Sequence, residues 1–372
     1  MIYFDNAATS LIKPDIVKRE ILYAIENYTA NPGRSGHNEA IKVAQKIYKT
    51  REIIKNFFNF SNFSLIFTKN CTEALNIAIF GTLKKGDHVI TTCYEHNSVL
   101  RPLQCLKSKG VEVTILDCNL NEFNENLESK IKQNTKLVIT TFISNVTGEI
   151  CDIEDVGKIC KKYNILYLVD AAQACGHVEI DMQKLNINML AFAGHKGLLA
   201  TTGVGGLLIK EIENLQPLIY GGTGSQSGSL IQPTNTEEDF ESGTISSISI
   251  IGLGAGLKYL QKNFKNILKK EQNLSKYLYF SLKSLNFIEL YSKEDSLNVF
   301  SFNIKGIDSM RVANILNEKY SIAVRSGLHC APLIHKRLGT LKTGAVRVSL
   351  DFNNEYWEID YLIKALKEIS NL

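Results

Sequence analysis

The 372-residue sequence predicts an α/β protein, with a mostly parallel seven-stranded sheet in a large domain and a smaller α+β domain beside it. Three observations support this prediction. Short apolar runs recur over roughly the first 210 residues, and most are separated by stretches with the apolar period of a helix. The chain is longer than one hydrophobic core usually grows, which predicts a second domain. After residue 244, long helical stretches alternate with fewer predicted strands than in the first part of the chain.

The predicted elements of the large domain follow one another in a regular order. Helical periodicity covers residues 14–28 and 39–58. The seven strands are predicted at 64–67, 88–91, 111–115, 136–141, 165–169, 189–193 and 205–209. The helices between them are predicted at 72–83, 97–109, 123–132 and 152–162. In a sheet built this way, ligands bind at the carboxyl ends of the strands.

The periodicity stops between residues 220 and 244, where glycine, serine and threonine predict a long loop that is either functional or disordered. Beyond it we predict helices at 250–286, 308–319 and 354–370 and strands at 297–304, 322–326 and 345–350. We assign residues 15–250 to the large domain, and residues 1–14 together with 251–372 to the small one.

Composition narrows the class of function. The net charge is +4, from 42 basic and 38 acidic residues without a basic run, which argues against nucleic-acid binding. No long apolar stretch and no secretion leader are evident, so a cytoplasmic protein is expected. The eight cysteines are irregularly spaced and predict reduced thiols, and their spacing with histidine predicts no metal site.

Polar residues follow two of the predicted strands. Lys196 follows strand 189–193 within the sequence Gly-His-Lys-Gly, where an amine held in a tight turn can form a Schiff base with an aldehyde. Asp170 follows strand 165–169, where a buried carboxylate needs a cationic partner such as a pyridinium nitrogen. Each residue also has an ordinary interpretation, because most lysines are exposed and aspartate commonly caps turns.

Three further strand ends carry weaker signals. Thr72 begins a predicted helix whose backbone N–H groups can hold a phosphate. The same residues also fit an ordinary capping box. His96 follows strand 88–91 and either lies against a flat ligand or fills a polar gap. Asn145 follows strand 136–141 and either binds a ring oxygen or a carboxylate, or simply belongs to a turn.

Eight short motifs, in this order along the chain, resemble those of the cysteine desulfurase and selenocysteine lyase family. They are Phe4-Asp5-Asn6-Ala7-Ala8-Thr9, Thr72-Glu73-Ala74-Leu75-Asn76, Glu95-His96, Ser144-Asn145, Asp170-Ala171-Ala172-Gln173, Gly194-His195-Lys196, Gly243-Thr244 and Arg325-Ser326-Gly327-Leu328-His329-Cys330-Ala331. The resemblance implies a class V aminotransferase-like, pyridoxal-phosphate-dependent transferase of fold type I. It also implies a homodimer with active sites at the subunit interface.

The resemblance assigns roles to individual residues. Lys196, Cys330 and His96 would be catalytic. The cofactor, pyridoxal 5′-phosphate, would be bound by Cys71, Thr72, His96, Asn145, Asp170, Gln173, His195, Lys196 and, from the neighbouring subunit, Thr244. Gln173 would bond the ring hydroxyl. The substrate would be bound by Ala7, Asn145, Arg325 and Arg347. Ala193 stands where many relatives carry a hydroxyl residue, so one phosphate contact is expected to be missing or replaced.

Cys330 decides which reaction is expected. Its thiolate would attack the sulfur of L-cysteine, leaving a persulfide for a sulfur-acceptor protein and releasing alanine, and His329 or Arg325 would favour the thiolate. The short interval from Cys330 to Arg347 resembles the branch with a compact cysteine loop. The alternatives are a selenocysteine lyase, or a transaminase or β-lyase in which Cys330 takes no part. A nucleotide-binding protein is disfavoured, because Leu257 replaces the third glycine of the dinucleotide fingerprint.

Overall fold

The computed structural model describes residues 1–33, 36–60 and 64–371. In chain order the helices and strands are β1 (Ile2–Tyr3), α1 (Asp15–Asn27), α2 (Asn38–Phe57), β2 (Ser64–Thr68), α3 (Cys71–Thr82), β3 (His88–Thr92), α4 (Asn97–Lys107), β4 (Glu112–Leu116), α5 (Phe123–Leu127), β5 (Thr135–Thr141), α6 (Ile153–Lys162), β6 (Leu166–Asp170), β7 (Met189–Ala193), β8 (Gly205–Ile209), α7 (Ser247–Lys283), β9 (Ile288–Leu290), β10 (Val299–Ile304), α8 (Ser309–Tyr320), β11 (Ile322–Ala323), β12 (Arg325–Gly327), α9 (Pro332–Arg337), β13 (Ala345–Ser349) and α10 (Tyr356–Ile369).

The large sheet has seven strands in the order β2-β8-β7-β6-β5-β3-β4. Strands β3 to β7 pair in parallel, whereas β8 pairs antiparallel with both β7 and β2. The prediction of a mostly parallel seven-stranded sheet is confirmed. Its central strands are buried on both faces, which explains why they read as continuous apolar runs in the sequence.

A second, antiparallel sheet has the order β12-β13-β10-β9. Its core is formed by Phe300 and Phe302 of β10, which pack with buried residues of α8, α10 and the second half of α7. The N-terminal strand β1 pairs in parallel with β11, so the first residues of the chain lie beside this sheet. The division into two domains stays a prediction, and its boundary between residues 250 and 251 falls inside the continuous helix α7.

Several predicted elements differ from the observed ones. The predicted helix 123–132 is wrong beyond Leu127, because a 3₁₀ turn (Glu128–Lys130) follows and Ile131 is extended. The predicted strand 322–326 is two short strands, β11 and β12, which pair with different partners. Strand β9 and helix α9 were not predicted, because each is too short to show a period.

Among the described residues, none of the helices is both long and apolar enough to cross a lipid bilayer.

Candidate active site

A pocket opens where β5, β6 and β7 end, at the carboxyl edge of the large sheet. Eight of the predicted site residues line it together: Cys71, Thr72, His96, Asn145, Asp170, Gln173, His195 and Lys196. Ala193, the last residue of β7, also lines this pocket. The topology explains this assembly, because parallel strands deliver the residues that follow them to the same edge.

Lys196 lies in a turn that is held on both sides. The carbonyl oxygen of His195 accepts hydrogen bonds from Ser10 Oγ (3.1 Å) and Lys13 Nζ (3.0 Å), which come from the N-terminal segment. On the other side, Gly197 lies so close to Cys175 that a Cβ built on the glycine would be 2.2 Å from the Cys175 carbonyl oxygen. Burial lowers the pKa of Lys196. The turn therefore presents an amine that gives up its proton more readily than an exposed lysine does.

Asp170 is the last residue of β6, and its side chain is buried. Its Oδ1 accepts hydrogen bonds from the backbone N–H of Ala172 (3.0 Å) and from Cys71 Sγ (3.5 Å). Burial raises the pKa of Cys71 well above its usual value, so the thiol keeps its hydrogen and donates it. The Asp170 carboxylate favours a cation in the pocket, because it raises the pKa of Lys196 and so partly opposes the effect of burial.

The N-terminus of α3 forms another wall of the pocket. Asn70 caps this helix by accepting a hydrogen bond from the N–H of Glu73 (2.9 Å), and the helix terminus favours an anion. Facing it, His195 has a buried Nδ1 without a hydrogen-bond partner among the described residues. Burial and the neighbouring Lys196 lower the pKa of His195 to about 4, so its ring is neutral at pH 7.

His96 caps the N-terminus of α4. Its Nδ1 accepts a hydrogen bond from the N–H of Ser98 (3.1 Å), so a neutral ring carries its hydrogen on Nε2. Burial lowers the pKa of His96, which favours this neutral form. The Ser98 hydroxyl also lies 2.8 Å from Thr72 Oγ1, and it links two walls of the pocket. Sequence reasoning missed Ser98, although a serine just after Glu95-His96 was a signal.

The predicted substrate arginines lie opposite each other on β12 and β13, where Arg325 pairs with Arg347. Arg347 is buried; its Nη2 contacts Asp5 Oδ1 at 2.8 Å and its Nη1 donates to the Asn145 carbonyl oxygen at 3.0 Å. Within the described chain, its Nε has no hydrogen-bond partner. The two Nη groups are therefore already engaged by protein oxygens, and Asp5 is a contact that the sequence did not predict.

Cys330 is exposed, on a loop whose backbone is tied to the pocket walls. Its carbonyl oxygen accepts a hydrogen bond from the N–H of Asn97 at 2.7 Å, directly beside His96. The Asn145 amide donates to the carbonyl oxygen of His329, also at 2.7 Å. His329 and Cys330 both have a positive φ, a conformation that disfavours side chains with a Cβ. These contacts place the base of the cysteine loop against the pocket.

The predicted role of His329 in favouring a thiolate at Cys330 stays a prediction, and it finds no support in a positive charge on the ring. The ring is buried, and burial together with Arg347 lowers the pKa of His329 to about 2, so it carries no positive charge at pH 7. A role for Arg325, the other group predicted to favour the thiolate, also stays a prediction.

Two other predicted residues make contacts of a different kind. Gln173 donates from Nε2 to the carbonyl oxygen of Ala7 (3.0 Å), which fixes both residues at the pocket. Thr244 does not line this pocket; its hydroxyl lies 3.4 Å from Asn31 Nδ2. A role for Thr244 in a neighbouring subunit stays a prediction.

The chain is similar over its whole length to proteins of one family. The family model "Aminotransferase class-V" matches residues 2–362. A protein named probable cysteine desulfurase from Pyrococcus abyssi is 36% identical over 384 residues, covering 99% of this chain and 94% of that protein. A protein of the same name from Methanothermobacter thermautotrophicus is 33% identical over 383 residues, covering 100% of this chain and 95% of that protein.

Solved structures that are similar to this chain also come from proteins named cysteine desulfurase. The apo structure of a cysteine desulfurase from Thermococcus onnurineus NA1 has a TM-score of 0.92 at 35% identity, covering 100% of this chain and 94% of that one. The cysteine desulfurase CsdA from Escherichia coli has a TM-score of 0.87 at 26% identity, covering 98% of this chain and 94% of that one.

Proposed function

The chain belongs to the aminotransferase class-V family, and from this premise we propose that it is a pyridoxal 5′-phosphate-dependent cysteine desulfurase, which converts L-cysteine to L-alanine and keeps the sulfur as a persulfide on Cys330. One observation supports this choice within the family most directly. An exposed cysteine lies on a loop that is hydrogen-bonded to the walls of the Lys196 pocket.

The residues of the pocket fit the cofactor. The N-terminus of α3, with Thr72, suits the phosphate, and the unpartnered Nδ1 of His195 suits one more polar contact there. Asp170 suits a protonated pyridine nitrogen, and Lys196 suits the aldehyde. We assign the ring face to His96 and the ring hydroxyl to Gln173.

Pyridoxal phosphate, when bound, supplies an aldehyde that joins to amines and a ring that accepts electrons. The other steps belong to the chain. Lys196, whose pKa is lowered by burial, takes the proton from the α-carbon of the substrate. The Cys330 thiolate attacks the substrate sulfur: a sulfur–sulfur bond forms and the carbon–sulfur bond breaks. The β-carbon keeps the bonding electron pair and takes up a proton, Lys196 returns a proton to the α-carbon, and alanine leaves.

The substrate carboxylate is assigned to Arg347, with Arg325, Asn145 and Ala7 completing the substrate site. The buried guanidinium of Arg347 has an Nε–H that no described residue engages, and it can donate that hydrogen to a carboxylate. The Asn145 amide, which holds the His329 carbonyl, sets the distance between this carboxylate site and the cysteine loop.

Two copies of the chain form a homodimer in which Thr244 reaches the neighbouring phosphate site. An acceptor protein clears the persulfide and delivers the sulfur to iron–sulfur cluster assembly. The enzyme works in the cytoplasm; its eight free cysteines, several of them buried, suit a reducing compartment.

Replacing Cys330 with serine tests the proposal. Sulfide release from L-cysteine, measured with a reductant present, is expected to disappear, while the visible absorption of the bound cofactor stays. Cys105→Ser is the matched control, because Cys105 is also exposed but lies on α4, outside the lining of the pocket. Sulfide release at the wild-type rate by Cys330→Ser would favour a β-lyase, and transamination without sulfide release in the wild type would favour a transaminase.

A further inference from the structure

Glu95, the residue before His96, is a fully buried glutamate. Its Oε1 accepts two hydrogen bonds, from Thr92 Oγ1 at 2.7 Å and from the backbone N–H of Thr141 at 2.9 Å. Thr92 ends β3 and Thr141 ends β5, so one carboxyl oxygen ties together the ends of two adjacent strands. Thr141 also lines the pocket, which connects Glu95 to the site through a single residue.

The other carboxyl oxygen of Glu95, Oε2, is buried and has no hydrogen-bond partner in the part of the chain that the structure describes. The carboxylate of Asp170, which lies opposite Thr141 in the pairing of β5 with β6, repels a negative charge on Glu95. A negative charge on Glu95 would be buried, with hydrogen bonds to only one of its two oxygens, and Asp170 would repel it. Both effects favour a Glu95 that keeps its proton.

We propose that Glu95 is a positioning residue that acts as a neutral carboxylic acid: it holds the ends of β3 and β5 in place beside His96 and Asp170, and its ionisation disturbs the pocket. This proposal rests on the proposed function, because it concerns the same pocket. A buried glutamate that keeps its proton at neutral pH costs stability, and such costs are typical of functional sites.

The titration range of Glu95 agrees with this geometry. Burial raises the pKa of Glu95 to about 8, and its hydrogen bonds offset only part of that rise. The other titratable groups that interact with it are Asp170 and Tyr167 on β6 and Cys151 before α6, and His96 is its neighbour in the chain. Burial raises the pKa of Tyr167 and Cys151 and lowers that of His96, so all three stay neutral between pH 7 and 9.

The test compares Glu95→Gln with the wild type, because glutamine has the shape of the protonated acid and cannot ionise. The neutral fraction of a group that titrates at about 8 falls about tenfold between pH 7 and pH 9. We therefore expect the ratio of kcat/KM at pH 9 to that at pH 7 to be about tenfold higher in Glu95→Gln. Lys13, whose pKa burial lowers to about 8, titrates in the same range, so only the difference between the two proteins isolates Glu95.

A stability measurement accompanies the pH profile. In the unfolded chain the glutamate ionises near 4.5, whereas in the folded protein it keeps its proton up to about 8. The folded state thus binds more protons in this range, and the free energy of unfolding of the wild type falls as pH rises through it. The unfolding temperature of Glu95→Gln relative to that of the wild type is therefore expected to rise between pH 6 and about pH 8 and to level off above it. Glu179→Gln, at an exposed glutamate, is the control.

Parallel pH profiles for the wild type and Glu95→Gln, together with an unfolding difference that does not change with pH, would overturn the proposal. If Glu95→Gln does not fold, infrared spectroscopy of Glu241→Gln decides instead, because that variant lacks the other buried glutamate whose pKa is raised, to about 7. The carbonyl band of a protonated carboxylic acid must be present in it at pH 7 and be lost by pH 9. Absence of sulfide release in the wild type at every pH would refute the proposed function alone, because the unfolding and infrared measurements do not depend on activity.

Discussion

Arg51 holds the outer edge of the large sheet, and replacing it with methionine is expected to destabilise the protein strongly. Its Nη2 lies 2.6 Å from Glu241 Oε2, both side chains are almost fully buried, and its Nη1 donates to the carbonyl oxygen of Leu65. On the same strand edge, Glu237 accepts the N–H of Leu65 at 2.8 Å and Glu241 accepts the N–H of Phe67 at 2.6 Å. Two carboxylates and one guanidinium therefore replace the missing neighbour of edge strand β2.

The size of the effect follows from burial. Removing one partner of a buried ion pair leaves an uncompensated charge and typically costs about 3–5 kcal/mol. Burial raises the pKa of Glu241 to about 7 although Arg51 opposes the rise. Without Arg51 this pKa moves further up, so the folded state of the variant binds a proton that the unfolded chain has already lost. Because Glu241 of the wild type also keeps its proton below about pH 7, the destabilisation is expected to grow mainly as pH rises above about 7.

Two measurements check this expectation. Chemical denaturation reports the free energy of unfolding, and hydrogen exchange reports the Leu65 and Phe67 amides, which are expected to exchange about a hundredfold faster or more in Arg51→Met. In the double variant Arg51→Met/Glu241→Met part of the lost stability should return, because the buried carboxylate is gone. Lys42→Met, which breaks an exposed ion pair with Glu39, is expected to change neither quantity measurably.

A loss of less than about 1 kcal/mol in Arg51→Met, or equal losses at pH 5 and pH 8, would refute this reasoning. The result also bears on function, because the Arg51 contacts anchor the segment that leads to Thr244.

Three further predictions concern the pocket. Lys196→Ala is expected to abolish the covalent adduct that borohydride traps between the wild-type protein and pyridoxal phosphate, and a peptide map that places the wild-type adduct on another lysine would contradict the assignment. Gly197→Ala is expected to lower stability and cofactor occupancy, because its Cβ would lie 2.2 Å from the Cys175 carbonyl oxygen; Gly221→Ala, whose Cβ meets nothing closer than 3.5 Å, is the control for thermal unfolding. Asn145→Ala is expected to raise KM for cysteine by about ten- to a hundredfold, since a hydrogen bond to a charged substrate contributes about 1.5–3 kcal/mol, and an unchanged KM would remove Asn145 from the substrate site.

The sequence determined the strands of the large sheet and the order in which site residues reach its edge. Asp170 and the turn that carries Lys196 come directly after apolar runs, and their placement follows once the strands are parallel. Local patterns suffice for this, because strand period and helix caps depend on residues that are neighbours in the chain. The eight short motifs added the expected roles of the residues.

Only the tertiary structure decided which side chains meet and which of them carry charge. Arg51 and Glu241 are 190 residues apart in sequence, and Glu95 reaches Thr141 across 46 residues. Such contacts leave no period in the sequence, because they form only when the chain folds. The same holds for charge: the sequence places His329 next to Cys330, but only the fold shows that burial lowers the pKa of its ring and keeps it neutral. Desolvation depends on everything packed around a group, and that environment does not exist before the fold does.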